Sequence, residues 1–69
     1  MTGTITHVQL DRGVGSIRGA DGRIYSFRRS DVRDCWLHDL SEGAAVTFEA
    51  RTGARALEAT AVRLDRPPR

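Results

Sequence analysis

The sequence predicts an all-β protein that folds as one small five-stranded barrel. Three observations lead to this prediction: short runs of alternating apolar and polar residues, glycine turns between them, and a length of 69 residues. A β-sandwich needs about a hundred residues, so a closed or partly closed barrel fits the chain better. Hydrophobic residues make up 39% of the chain, a share that is ordinary for a globular protein once glycines are counted. We therefore expect one ordered domain with a small core.

Two strands are predicted at the start of the chain. Residues 4–8 are rich in β-branched side chains, with Ile5 on one face and threonines on the other. Residues 9–13 indicate a turn, and residues 14–18 form the second strand. Gly15 interrupts this strand, where a glycine marks a bend or a close approach of backbones.

A hairpin connects the second and third strands. Asp21-Gly22 stands between two apolar runs, which is a strong signal for a tight hairpin turn. The third strand spans residues 23–28, and its alternation puts Tyr25 and Phe27 on the core face.

The second half of the chain supplies two further strands. Alternation stops over residues 29–42, where Ser30 as a capping hydroxyl predicts a single helical turn. Residues 44–50 resume the alternation with Val46 and Phe48 pointing inward. Residues 56–64 close the sheet, although their alanine, leucine, glutamate and arginine content leaves a helix as the alternative.

The basic residues have an unusual composition. All 11 are arginine, against 9 acidic residues, and the net charge is +2. This charge is weak evidence for an anionic partner. The absence of lysine is explained by a GC-rich coding sequence, or by a need for guanidinium groups that bind phosphate and stack on bases.

Cysteine and hydropathy patterns limit the cellular context. Cys35 is the only cysteine, so no intramolecular disulfide and no thiolate zinc site is expected. No apolar run is long enough for a membrane span, and the N-terminus lacks the features of a secretion signal. We expect a cytoplasmic protein with no membrane partner.

The sequence carries no catalytic or metal-binding pattern. His7 and His38 could each meet an acid such as Asp34 or Asp39, but their spacing does not match a metal site. Gly13-Val14-Gly15 lacks the further glycine of a phosphate-binding loop. We expect neither an enzyme nor a bound cofactor or metal.

Nearly the whole chain resembles the bacterial cold-shock domain family. Residues 12–17, Arg-Gly-Val-Gly-Ser-Ile, are similar to the family's first ribonucleoprotein motif, Lys-Gly-Phe-Gly-Phe-Ile, and residues 24–30 stand where the second motif belongs. Residues 40–49 match Leu-x-Glu-Gly-x-x-Val-x-Phe-Glu, and residues 53–62 match Gly-x-x-x-x-x-Ala-x-x-Val. The opening strand at residues 3–6 is similar as well.

This resemblance implies a fold and a function. The fold is a five-stranded OB-fold, a cold-shock-like Greek-key β-barrel over residues 1–64, followed by a flexible tail at 65–69. The family binds single-stranded RNA or DNA by stacking bases on outward aromatic side chains, and its members act as RNA chaperones or regulators of gene expression. Each stacked base contributes about 1–3 kcal/mol.

The resemblance also transfers the binding positions, most of which have changed. His7 replaces a tryptophan, while Val14, Ser16 and Ser26 replace phenylalanines. Arg28 replaces a histidine, and Arg29 replaces a further aromatic residue. We therefore expect weak, salt-dependent binding through phosphate contacts with little stacking. The predicted nucleic-acid-binding residues are His7, Arg12, Val14, Ser16, Arg18, Ser26, Arg28 and Arg29.

A second interpretation is a protein-interaction module that has lost nucleic-acid binding. Val14, Ser16, Trp36 and Leu37 would then contribute to a contact patch for another protein or a second copy of the chain. Trp36 itself is either a lid on the core or a stacking group.

Overall fold

The alternating segments form five β-strands. In the computed structural model, which describes residues 1–33, 36, 40–53 and 56–65, these strands lie close to the predicted positions. The strands are β1 (Thr2–Gln9), β2 (Val14–Gly19), β3 (Ile24–Arg28), β4 (Ala45–Thr52) and β5 (Leu57–Leu64).

The strands close into a barrel in the order β1-β2-β3-β5-β4. All neighbouring pairs are antiparallel except β3 and β5, which run parallel. A three-strand meander followed by this crossover is the arrangement of an OB-fold, so the predicted all-β five-stranded barrel is confirmed. The helical alternative for residues 56–64 is wrong, because Leu57–Leu64 form β5 and pair antiparallel with β4.

The core occupies the barrel interior. The rings of Tyr25 and Phe48 pack with centroids 5.1 Å apart, and Phe27 is 2% exposed. Val46 and Phe48 point inward as predicted. The buried core residues are Ile5, Ile17, Tyr25, Phe27, Leu40, Val46, Phe48, Ala59 and Val62.

Gly15 marks a close approach inside the barrel, as its place in the second strand predicted. A Cβ atom added there would lie 2.6 Å from Cζ of Phe27 and 2.8 Å from the carbonyl oxygen of His7. Both distances are shorter than van der Waals contact, so only glycine lets β2 pass beneath the Phe27 ring.

The helical turn forms, but its predicted cap is wrong. A 3₁₀ helix covers Arg29–Asp31, so Ser30 lies inside it. The turn begins directly after β3, because the Arg29 amide donates to the carbonyl of Gly13 at 2.8 Å. The Asp31 carboxylate accepts the Arg28 amide at 3.0 Å and stabilises the start of the turn.

The end of the chain is described only as far as Asp65. Its amide donates to the Ala45 carbonyl at 2.9 Å, which continues the β4–β5 side of the barrel by one residue. The rest of the predicted tail, residues 66–69, lies outside the described residues.

Candidate nucleic-acid interface

The predicted binding residues of β1, β2 and β3 lie on one outward face of the barrel. Strand register puts His7 opposite Ser16, and Ser16 opposite Ser26, in a row across the three strands. We call this surface the three-strand face. Its side chains are Thr4, His7, Gln9, Val14, Ser16, Arg18, Ile24, Ser26 and Arg28.

A β-bulge brings His7 onto this face. The β1–β2 register skips one residue between Ile5 and His7, so Thr6 has no partner and both Thr6 and His7 are exposed. Strict alternation from buried Ile5 would turn His7 into the core. The bulge therefore reverses the orientation that period-two alternation gives to this residue.

Arg28 is paired with Val14 in one cross-strand row, and Arg18 is paired with Ile24 in another. Both arginines are exposed. They lie on either side of the His7–Ser16–Ser26 row, so a strand crossing the face would pass between two guanidinium groups.

Arg12 and Arg29 stand at the end of the face, around the β1–β2 turn. Gly13 adopts a left-handed conformation with φ of 68°, and three guanidinium atoms of Arg29 would lie 3.4–3.6 Å from a Cβ added to it. The Arg29 guanidinium therefore lies directly beside Gly13. The turn, Arg28 and the 3₁₀ helix enclose a groove of about 680 Å³. It is lined by Asp11, Arg12, Gly13, Val14, Arg28, Arg29 and Ser30.

The arginines of this surface are not held in ion pairs with the described carboxylates, so their charges can contact an anion. Among the described residues, Nδ1 of His7 lies 3.8 Å from Oε2 of Glu42, and no ion pair within 4.0 Å involves Arg12, Arg18 or Arg28. His7 and Glu42 are 55% and 68% exposed, so their attraction is screened by solvent. A guanidinium without a carboxylate partner binds phosphate without first breaking an ion pair.

Stacking capacity on the three-strand face is small. Tyr25 and Phe27 point into the core, at 4% and 2% exposure, and His7 is the face's aromatic ring. Ile24 is 50% exposed on the same face and was missed, although alternation with Ser26 and Arg28 assigns it there. Leu10, which is 51% exposed and stands two residues before Arg12 in the turn, was also missed, because turn residues have no periodic pattern.

Trp36 is 72% exposed. This value is incompatible with a lid buried over the core, which was one of its two predicted roles. The neighbouring positions Asp34, Cys35, Leu37, His38 and Asp39 lie outside the described residues, and so does the predicted pairing of His38 with an acid. No group of three or more metal-ligating side chains occurs within the described part of the chain.

We compared the chain with known protein-family models and with curated proteins, and neither comparison gave a match. No described helix is long and apolar enough to cross a membrane. The fold and the face together define the protein as a small OB-fold barrel with an arginine-bearing outer surface over β1, β2 and β3.

Proposed function

We propose that the protein binds single-stranded RNA or DNA on the three-strand face and acts in the cytoplasm as a divergent cold-shock-type protein. The observation that carries this proposal is the strand register. It assembles His7, Ser16 and Ser26 in one outward row, flanked by Arg18 and Arg28, which have no ion-pair partner among the described residues.

Binding depends mainly on phosphate contacts. Each guanidinium that neutralises a phosphate releases condensed counterions, so the affinity falls as salt rises. Base stacking is limited to the His7 ring and to guanidinium planes such as that of Arg29. A role as an RNA chaperone or a regulator of gene expression is part of the same proposal, because weak, sequence-tolerant binding suits both.

Amide chemical-shift mapping tests the location of the site. Titration of ¹⁵N-labelled protein with a short single-stranded oligonucleotide should shift the amides of His7, Ser16, Ser26 and Arg28. Thr47 and Arg63 are paired with each other on β4 and β5, outside the His7–Ser16–Ser26 row, and should not move. Shifts confined to β4 and β5, or no shifts, would contradict the proposal.

A protein-interaction module is the second candidate, and the 72% exposure of Trp36 favours it. Large aromatic side chains are enriched at protein interfaces. Val14 and Ser16, which belong to the predicted patch, are half-buried, and Leu37 lies outside the described residues. Analytical ultracentrifugation tests for self-association: a Trp36→Ala variant should dissociate a dimer, and a strictly monomeric wild type contradicts association between copies.

A further inference from the structure

The parallel pairing of β3 and β5 leaves a cleft in the barrel wall. The two strands pair at one position, Ser26 with Glu58. Beyond this pair the strands separate, towards Arg28 on β3 and Thr60 on β5. The resulting cleft has a volume of about 330 Å³. We call it the β3–β5 cleft. It is lined by Val14, Ser26, Phe27, Arg28, Ser30, Asp31, Arg51, Glu58 and Thr60.

Strand register connects this cleft to the three-strand face. Ser26 is opposite Ser16 on one side and Glu58 on the other, and Glu58 is opposite Arg51 on β4. A single row of side chains therefore continues from His7 around the barrel to Arg51. Sequence reasoning missed Arg51, because the pairing of β5 with both β3 and β4 is what brings Arg51 into the same cleft as Arg28.

The donors in the cleft suit an anion. Arg28 and Arg51 are both exposed, and neither has an ion-pair partner among the residues described. Ser30, which carries a hydroxyl, lines the same cleft. Two guanidinium groups and a hydroxyl are the donor types that bind phosphate oxygens in proteins.

The acceptors in the cleft suit a ligand that also carries donors. The Ser26 hydroxyl donates to the Leu57 carbonyl at 3.3 Å, so its oxygen remains free to accept. One oxygen of Asp31 accepts the Arg28 amide. Oε1 of Glu58 would lie 2.7 Å from a Cβ added to Gly53, which places that oxygen against the β4–β5 turn. The second oxygen of each carboxylate is left for hydroxyl or amino donors.

We propose that the β3–β5 cleft binds one nucleotide unit with a terminal phosphate. The phosphate monoester contacts Arg28 and Arg51, and ribose hydroxyls or a base amino group donate to Glu58 and Asp31. Inorganic phosphate alone would leave these carboxylates unmatched, and a nucleoside alone would leave the arginines unmatched. The volume lies at the lower end of the range of about 300–1,000 Å³ for small-molecule pockets, enough for one nucleotide.

Two sources offer this chemistry: a free nucleoside monophosphate, and the phosphorylated end of a nucleic-acid strand. The site shares Arg28 with the three-strand face, but it does not require that longer strands bind there. Arg51 belongs to the cleft alone, and Arg18 belongs to the face alone. Variants at these two positions therefore separate the two sites.

Amide chemical-shift titrations with adenosine 5′-monophosphate, adenosine and inorganic phosphate test the proposal. The monophosphate should give saturable shifts at Ser26, Arg51, Glu58 and Thr60, with an affinity about tenfold above that of adenosine or phosphate. No saturable shift at these amides, or equal affinity for phosphate and the monophosphate, would overturn it.

Matched variants complete the test. Arg51→Ala should weaken monophosphate binding by about fivefold or more and leave the shifts of His7 and Ser16 with an unphosphorylated oligonucleotide unchanged. Arg18→Ala should reduce the shifts of His7 and Ser16 with the oligonucleotide and leave monophosphate binding unchanged. An Arg51→Ala protein that binds the monophosphate like the wild type contradicts the proposal, whether or not oligonucleotides bind. Stronger cleft shifts with a 5′-phosphorylated oligonucleotide than with the monophosphate identify a strand end as the source, and the opposite order identifies the free nucleotide.

Discussion

The Tyr25 hydroxyl donates a 2.6 Å hydrogen bond to Oδ2 of Asp21 across the β2–β3 hairpin. Oδ1 of the same carboxylate accepts the Arg23 amide at 3.0 Å. The hydrogen bond from Tyr25, supported by that from Arg23, lowers the pKa of Asp21 below its ordinary 3.8. The bond to Asp21 raises the pKa of Tyr25 above its ordinary 10.0. The ionised Asp21 and the protonated Tyr25 therefore stabilise the hairpin together.

This pair predicts a stability plateau with two limits. A lowered Asp21 pKa stabilises the folded state above pH 3.8, and this contribution is lost as the pH falls through the folded value. A raised Tyr25 pKa stabilises it below pH 10.0, and this contribution is lost as the pH rises through the folded value. Urea denaturation should therefore show that the stability gap between wild type and Asp21→Asn is widest between these limits. Asp11→Asn, an exposed turn substitution, is the control; an equal Asp21 gap at about pH 3 and about pH 7 would contradict the linkage.

Replacement of Gly15 tests the close packing of β2 against the core. Gly15→Ala places a methyl group 2.6 Å from Cζ of Phe27, which forces the ring or the strand to move and should cost about 1–3 kcal/mol of unfolding free energy. Ser16→Ala changes the following residue, whose side chain points outward, and should lower the unfolding free energy much less. A Gly15→Ala protein as stable as Ser16→Ala in urea denaturation would refute the packing.

Replacement of an alanine that has a left-handed backbone conformation is expected to stabilise the fold. Ala61 has a φ of 51° at the bulge of β5, where the register with β4 shifts between Thr47 and Glu49. Left-handed geometry costs a non-glycine residue about 1–2 kcal/mol, and glycine loses about 0.5–1 kcal/mol more on ordering, so Ala61→Gly should stabilise the fold by about 0.5 kcal/mol. Ala59→Gly, at a fully buried site, should destabilise it. Thermal unfolding in which both variants lose stability equally would show that the bulge carries no strain.

The sequence predicted the barrel well because the patterns that determine the strands and turns lie within short segments of the chain. Alternation identified Tyr25 and Phe27 as core residues, and Asp21-Gly22 identified the hairpin. The candidate site was less predictable, because its residues meet through strand pairing and bulges. Period-two alternation assigns His7 to the core side. Its position on the outer face was predicted from the family resemblance and not from the alternation.

Arg51 illustrates the same limit. It lies on a strand distant in sequence from β3, and the pairing of β5 with both β3 and β4 brings it into the cleft with Arg28. A pattern within one segment carries no information about such a neighbour. The cap of the 3₁₀ helix was wrongly predicted for a related reason, since the turn starts where the Gly13 hydrogen bond ends the β2–β3 ladder.

The paired arginines at the end of the three-strand face should account for part of the salt dependence of binding. Arg28→Ala with Arg29→Ala removes up to two phosphate contacts, so the negative slope of log affinity against log salt should become less steep by about 0.7–1.4 for a single strand. Arg23→Ala with Arg63→Ala removes the same charge outside the Arg28–Arg29 groove and is the matched control. An equal change of slope in both double variants would show that total charge, rather than this site, determines binding.

The proposed function requires the arginine-bearing face to bind single-stranded nucleic acid. Fluorescence anisotropy of a labelled single-stranded oligonucleotide, titrated with the protein at about 50 mM and about 200 mM salt, tests it most directly. Saturable binding is expected at the lower salt and clearly weaker binding at the higher salt. No binding at about 50 mM salt, or equal affinity at both concentrations, would contradict it.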